Sequence, residues 1–235
     1  MARKPLTVWI TRAEPGASET AERVVAHGHK AVVAPLLALE RLPSPQMDLH
    51  DVRAIAFTSA NGVRAFAAAS PEREFRIFCV GAATAAEAKA AGFRAVLAGD
   101  GDVTALAHRI AARALELRGG VVLHPGAAHP AGDLVGVLTK AGVAARGVAL
   151  YDSVPAQPSP DFIAGMAELD VVLLHSPKAS KVLAKLLRKH PAPHLRAFCL
   201  SPAVARPLSR IDLAERTAAP IPFEAALLNL MDSKP

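Results

Sequence analysis

Two serines occupy matching places almost half the chain apart. Ser59 follows the apolar run of RAIAFTSANGVRAF, and Ser176 follows that of DVVLLHSPKASKVLAK. An apolar run, then a hydroxyl, then a helix-periodic segment is the signature of a strand whose carboxyl end feeds a helix. A serine there caps the helix by accepting from its orphan N–H groups. The same N–H groups and the positive end of the helix dipole also hold anions. Four further loops, TRAEPG, CVGAAT, LHPGAAH and CLSPAV, have this setting. Together the loops carry Arg12, Thr58, Ser59, Asn61, Gly81, Thr84, His124, Ser176, Lys178 and Ser201. For Ser59, Asn61 and Ser176, capping and ligand binding are compatible readings. Tyr151 is the only tyrosine, at the end of a strand-like run. It is either a packing tyrosine or a phenol able to donate a proton or hydrogen bond to a ligand.

Other chemistries lack their residues. There is no GxxxxGK[ST] loop, no GxGxxG at a strand–helix junction, no CxxC, no HExxH and no GxSxG. His124 and His129 read as a loop pair with no zinc spacing, so no metal is expected. Cys79 and Cys199 lie in the matching runs IFCVG and AFCLS and read as small buried hydrophobes of a reducing compartment.

The chain has 235 residues, net charge +6 and a pI near 9.7. That charge suits an anionic partner or an ordinary solvated basic surface. No basic run is interleaved with aromatics, which weighs against nucleic acid. No uncharged apolar stretch reaches the ~18 residues of a membrane span, and the N-terminus does not read as a signal peptide. A cytoplasmic protein is expected.

The elements that position these loops alternate between strand and helix. Strands are predicted at 6–11, 31–37, 54–58, 76–80, 95–98, 121–124, 148–151, 171–175, 197–200 and 213–217. Helices are predicted at 17–27, 62–69, 85–91, 103–117, 133–141, 179–189, 203–209 and 223–231. This alternation implies parallel sheets with helices on both faces. Proline clusters at Pro43 and Pro45, and in DSVPAQPSPD, mark two boundaries. The segment between them holds five strands; the pieces outside it hold two and three. The expected organisation is therefore an inserted α/β domain, residues 44–148, within a discontinuous one, residues 1–38 and 153–235. Segments 39–43 and 149–155 are the hinges, and a cleft is expected between the domains. No second subunit is needed for such a cleft, so a monomer is expected.

The chain resembles the uroporphyrinogen-III synthases. The resemblance rests on Thr11–Arg12 with Pro35, on FTSANGVRAF, on CVGAATAAEAKAAG with Thr84, and on GDLVGVLTKAG followed by VALYDSVP with Tyr151. It covers nearly the whole chain in order. It implies two similar flavodoxin-like domains with parallel five-stranded sheets, joined by a two-stranded connector. It also implies an enzyme of tetrapyrrole and haem biosynthesis: a cofactor-independent lyase that cyclises and dehydrates hydroxymethylbilane with inversion of its last ring. The substrate is a linear tetrapyrrole with acetate and propionate arms, which suits a basic protein rich in helix N-termini. Tyr151 then assists departure of the hydroxyl. Arg12, Thr58, Ser59, Asn61, Gly81, Thr84, His175, Ser176, Lys178 and Ser201 bind substrate. In the second copy Ser201 and Val204 stand where the family has glycine and threonine, and His175 stands where Thr58 does. His175 and Lys178 are expected to supply positive charge there. The alternative is a non-catalytic two-domain clamp for an anionic small molecule or tetrapyrrole.

Overall fold

The structure is a computed structural model and describes residues 4–43, 47–99, 102–117, 119–130 and 132–232. Pro45, the first residues of the expected inserted domain, and both ends of the expected outer domain lie outside the described residues. The elements run β1 (Thr7–Ile10), α1 (Gly16–Ala26), β2 (Lys30–Val33), β3 (Leu37–Arg41), β4 (Val52–Phe57), α2 (Ala60–Ala69), β5 (Arg76–Cys79), α3 (Ala82–Ala90), β6 (Val96–Ala98) and α4 (Val103–Ala111). They continue with β7 (Val121–Ala127), α5 (Leu134–Lys140), β8 (Ala145–Pro155), α6 (Pro160–Ala164), β9 (Val171–Leu174), α7 (Pro177–Lys189), β10 (Arg196–Cys199), α8 (Pro202–Ala205), β11 (Glu215–Ala218) and α9 (Glu224–Leu228).

The chain divides into two compact units, Met1–Ala38 with Val154–Pro235, and Leu39–Ser153. The first holds a five-stranded sheet in the order β11-β10-β9-β1-β2; the other sheet has six strands, β6-β5-β4-β7-β8-β3. The sixth strand corrects the expected five. LALER runs into the expected hinge 39–43 ahead of the boundary prolines, and its half-buried positions, Leu37 and Leu39, alternate as in a strand covered on one face. It pairs at the edge beside β8, where Leu42 N–H donates to Leu150 O at 3.0 Å. The predicted helix 103–117 stops at Ala111, and a 3₁₀ turn covers Ala114–Leu117. Helix α6 is an element that the proline-rich sequence around it concealed. Pro160 takes its first turn, where a missing N–H costs nothing, and Ser159 caps it.

Apart from β3, the two sheets have the same layout of parts, and every pairing within those ten strands is parallel. β1, β2, β9, β10 and β11 correspond to β7, β8, β4, β5 and β6. The corresponding strands begin at Thr7 and Val121, Lys30 and Ala145, Val171 and Val52, Arg196 and Arg76, and Glu215 and Val96. Only the order along the chain differs. In the first unit the two-strand part precedes the three-strand part; in the second it follows.

Strand alternation splits each core into two layers. In the first unit Val8, Ile10, Val171 and Leu173 face α1 and α9, with Val24 and Leu227; Trp9, Val172 and Leu174 face α7, with Leu183 and Leu187. In the second, Ile55, Phe57 and Cys79 pack on α2 and α3 through Val63, Phe66 and Ala88. Ala54, Ala56 and Phe78 pack on α4 and α5 through Leu106, Ile110 and Leu138. Both cysteines are buried and unpaired, as their apolar runs imply.

Candidate functional site

In the second unit the chain leaves β4 for β5 on one side, while β7 returns on the other. In open parallel sheets such a switch point leaves a crevice at the carboxyl strand ends. Ser59 stands there in extended backbone, and its Oγ accepts from Gly62 N–H at 3.1 Å, which caps α2. Ser59 Oγ also lies 3.0 Å from the Tyr151 hydroxyl. Strand β8 thus delivers its phenol to the first turn of the helix after β4. Gly62 lets the first turn of α2 sit close against β7, because a Cβ there would stand 2.8 Å from the Pro125 carbonyl. Tyr151 is 9% exposed. Burial pushes its hydroxyl above the ordinary phenol pKa, and the Ser59 hydrogen bond pulls the other way. The phenol therefore keeps its proton at neutral pH.

The other expected residues of this unit do varied work. Asn61 does not cap: its Oδ1 accepts from Arg64 Nη1 at 3.0 Å, and Arg64 pairs with Glu87 at 2.6 Å. Thr58 is half-buried between β4 and the cap. Gly81 precedes α3 in extended backbone, and a Cβ there would meet nothing closer than 3.8 Å. Thr84 is buried in the first turn of α3.

His124 corrects the loop reading. It lies inside β7, which runs through Pro125 and Gly126 to Ala127. Pairing with β4 ends at Leu123, while pairing with β8 continues to Ala127. Pro125 thus sits where the strand has become an edge, and edges tolerate proline. The His124 ring is buried, with Nδ1 2.9 Å from Ala56 O. Burial lowers its pKa, and the bond to that carbonyl opposes the shift. The first unit repeats the detail: Thr11 Oγ1 donates at 2.7 Å to the carbonyl of Leu173, which stands in β9 where Ala56 stands in β4.

In the first unit Arg12 follows β1, and its Nη1 donates to Glu224 Oε1 at 3.0 Å and to Thr20 Oγ1 at 3.1 Å. Glu224 also receives hydrogen bonds from Thr20 and Arg23. Its Oε1 lies 3.4 Å from His175 Nε2, at an angle that leaves both ring nitrogens without a hydrogen bond. The expected positive charge at His175 is corrected. Burial, together with the guanidinium groups of Arg12 and Arg23, holds its pKa down to about 3, so the ring is neutral. Glu224 and Arg23 escaped the sequence reading, since an acid more than two hundred residues from its partners leaves no local signal.

Ser176 caps α7, accepting from Ala179 N–H at 3.2 Å. Ser201 stands at the N-cap of α8 without a side-chain cap bond. Lys178 begins a row of cations on α7 with Lys181, Lys185 and Lys189. They line a groove of about 660 Å³ floored by Leu36 and Leu186. Among the described residues no group of His, Cys, Asp or Glu could hold a metal, and no helix is long and apolar enough to cross a membrane.

A family profile, uroporphyrinogen-III synthase HemD, matches residues 18–229. The chain belongs to the uroporphyrinogen-III synthase family. Two solved members have similar folds. The uroporphyrinogen-III synthetase of Helicobacter pylori aligns with a TM-score of 0.66 at 15% identity, over 97% of this chain and 98% of its own. A mutant uroporphyrinogen III synthase of Thermus thermophilus aligns with a TM-score of 0.54 at 18% identity, over 97% and 96%. No curated protein matches the chain by sequence at a significant level. As a uroporphyrinogen-III synthase family member, the chain is a cyclising lyase of tetrapyrrole biosynthesis. Ser59 and Tyr151 are two expected site residues that the fold brings into hydrogen-bond contact.

Proposed function

We propose that the Ser59–Tyr151 pair is the acid end of the reaction: cyclisation of hydroxymethylbilane to uroporphyrinogen III with loss of water. The hydrogen bond between the two hydroxyls at the end of β4 carries this reading. Ser59 already accepts from Gly62 N–H, so its own proton can go to Tyr151. The Tyr151 proton is then free for the substrate hydroxyl. As it transfers, the C–O bond breaks, water leaves with the bonding pair, and the pyrrole nitrogen lone pair fills the vacancy. The last pyrrole attacks this electrophile through the α-carbon that already bears its bridge, giving a spiro intermediate. That bridge bond then breaks to leave the neighbouring ring electrophilic, the free α-carbon attacks it, and the proton lost there restores the phenol. The sequence is redox-neutral and calls for no electron carrier. Positioned general acids contribute about 10²–10⁴-fold. Holding one ring orientation against spontaneous closure is the remaining task.

The substrate is polyanionic, and Thr58, Asn61, Gly81, Thr84, Ser176, Lys178 and Ser201 are the groups we assign to its arms. Arg12 then serves as an internally paired wall, since Glu224 takes its charge, with the neutral His175 ring beside it. We read the units as two flavodoxin-like domains of a cytoplasmic monomer, with 39–43 and 149–155 as connectors. Counted within its unit, the first sheet has the order 2-1-3-4-5, which supports that reading. The test supplies freshly generated hydroxymethylbilane and resolves the isomers. Type III product faster than spontaneous closure is expected; only type I product at the spontaneous rate overturns the assignment.

A further inference from the structure

The second unit holds a cavity of about 260 Å³ along β7 and β8. Its walls include the His124 ring, Gly126, Gly147, Ala149 and the start of α5. The hydrogen bond of His124 fixes what this ring can do. Nδ1 faces the carbonyl of Ala56, which can only accept, so Nδ1 carries the proton. The neutral ring then has a bare lone pair on Nε2. That atom is buried and has no hydrogen-bond partner among the described residues. A buried polar atom left unpaired costs stability, so such atoms are rare and ask for a partner. The two residues flanking the ring on β7 and β8 are glycines: Gly126, and Gly147 in register with His124. A Cβ at Gly126 would stand 3.3 Å from His124 Cε1 and 3.4 Å from Nε2, against the bare edge. Nothing in this wall donates a hydrogen bond to that lone pair.

We infer that His124 Nε2 is the acceptor of a donor-selective subsite that takes one pyrrole N–H of the substrate. Resting on the proposed function, this adds an attraction for the ring itself to the holding of its carboxylate arms. The volume suits one substituted pyrrole, not a whole tetrapyrrole. A carboxylate is the wrong occupant, since it would set two lone pairs against a third. The subsite therefore orients a ring by its nitrogen edge, the edge that distinguishes a pyrrole upright from the same pyrrole turned over. His124 is a binding and positioning residue; no bond is made or broken at it.

The test uses the full chain labelled with ¹⁵N at histidine. One probe is a monopyrrole bearing an acetate and a propionate arm with a free N–H; the other is its N-methyl analogue. Accepting a hydrogen bond moves the resonance of a bare imidazole nitrogen. The free N–H probe is expected to move the His124 Nε2 resonance, and the N-methyl probe to leave it in place. Gly126→Ala, which covers the lone pair with a methyl and leaves the Ala56 bond intact, is expected to abolish the movement. It should also raise KM about tenfold, the scale of one hydrogen bond. His124→Phe should do the same to KM, and a thermal melt checks that it folds. No movement with the free N–H probe, or equal movement with both, overturns the inference. The wild-type isomer assay is read separately: type III product with an unmoved resonance sinks the subsite alone, and type I product alone sinks the proposed function.

Discussion

Removing the two hydroxyls of the Ser59–Tyr151 pair, singly and together, tests whether they act as one unit. Tyr151→Phe deletes one hydroxyl–hydroxyl bond and leaves Ser59 capping α2, a loss of about 1 kcal/mol. Ser59→Ala deletes the cap as well, worth about 1 kcal/mol, and strands the phenol in a site where Tyr151 is 9% exposed. The single change should therefore cost about 2 kcal/mol. In the double variant no stranded hydroxyl remains, so the cost should stay near 2 kcal/mol rather than reach the additive sum of about 3. The coupling of about 1 kcal/mol exceeds the ~0.5 kcal/mol scatter of independent sites. The only tryptophan, Trp9, lies in the other unit, so its fluorescence is the wrong reporter. Native-state hydrogen exchange of the peptide covering β4 and α2 reads the local free energy instead. Costs that add within ~0.5 kcal/mol would mean that the two hydroxyls are neighbours without an energetic bond, and the proton route through Ser59 would fall with them.

Two further outcomes follow from buried titratable groups. His175 has its pKa depressed from 6.5 to about 3, so its share of stability is complete above the unfolded value and is lost as pH falls through that window. Melting temperature should therefore drop more steeply below pH 6.5 in the wild type than in His175→Gln, and parallel curves would refute the assignment. Burial raises Cys79 to about 11 and, despite Arg216, raises Cys199 to about 12. Both thiols should react with an aromatic disulfide reagent only after unfolding, and prompt reaction of the native protein would contradict their burial.

What could be read in advance was whatever leaves a local trace. Strand–hydroxyl–helix runs announce Ser59 and Ser176 as caps, and the matched cysteines announce buried strands. Tyr151 stood out by being alone of its type, though nothing in VALYDSVP says that its partner is Ser59. His124 misled because PG follows it, and proline with glycine is turn chemistry until pairing on one side only makes it an edge. LALER hid β3 because an edge strand has one neighbour and a weak pattern of burial. The Arg12–Glu224–His175 cluster was illegible for a different reason: an ion pair across the fold depends on which helix ends beside which strand, and no spacing encodes that.

The shared layout of the two sheets, with its parts met in different order along the chain, sets a timetable for synthesis. All but the edge strand β3 of the second sheet emerges as one continuous run from β4 to β8, and it can close as soon as β8 is made. The first sheet cannot. Its opening pair, β1 and β2, is complete at Val33, but the strand that flanks β1 on its other side begins only at Val171. A two-stranded ribbon is marginal in water. At roughly 5–20 residues per second, this one waits roughly 7–28 seconds beside the ribosome. Trp9 and Ile10 spend that interval without the β9 side chains they are later buried among, and although α1 can cover one face of the strand early, the helices that complete its burial, α7 and α9, are made only after β9.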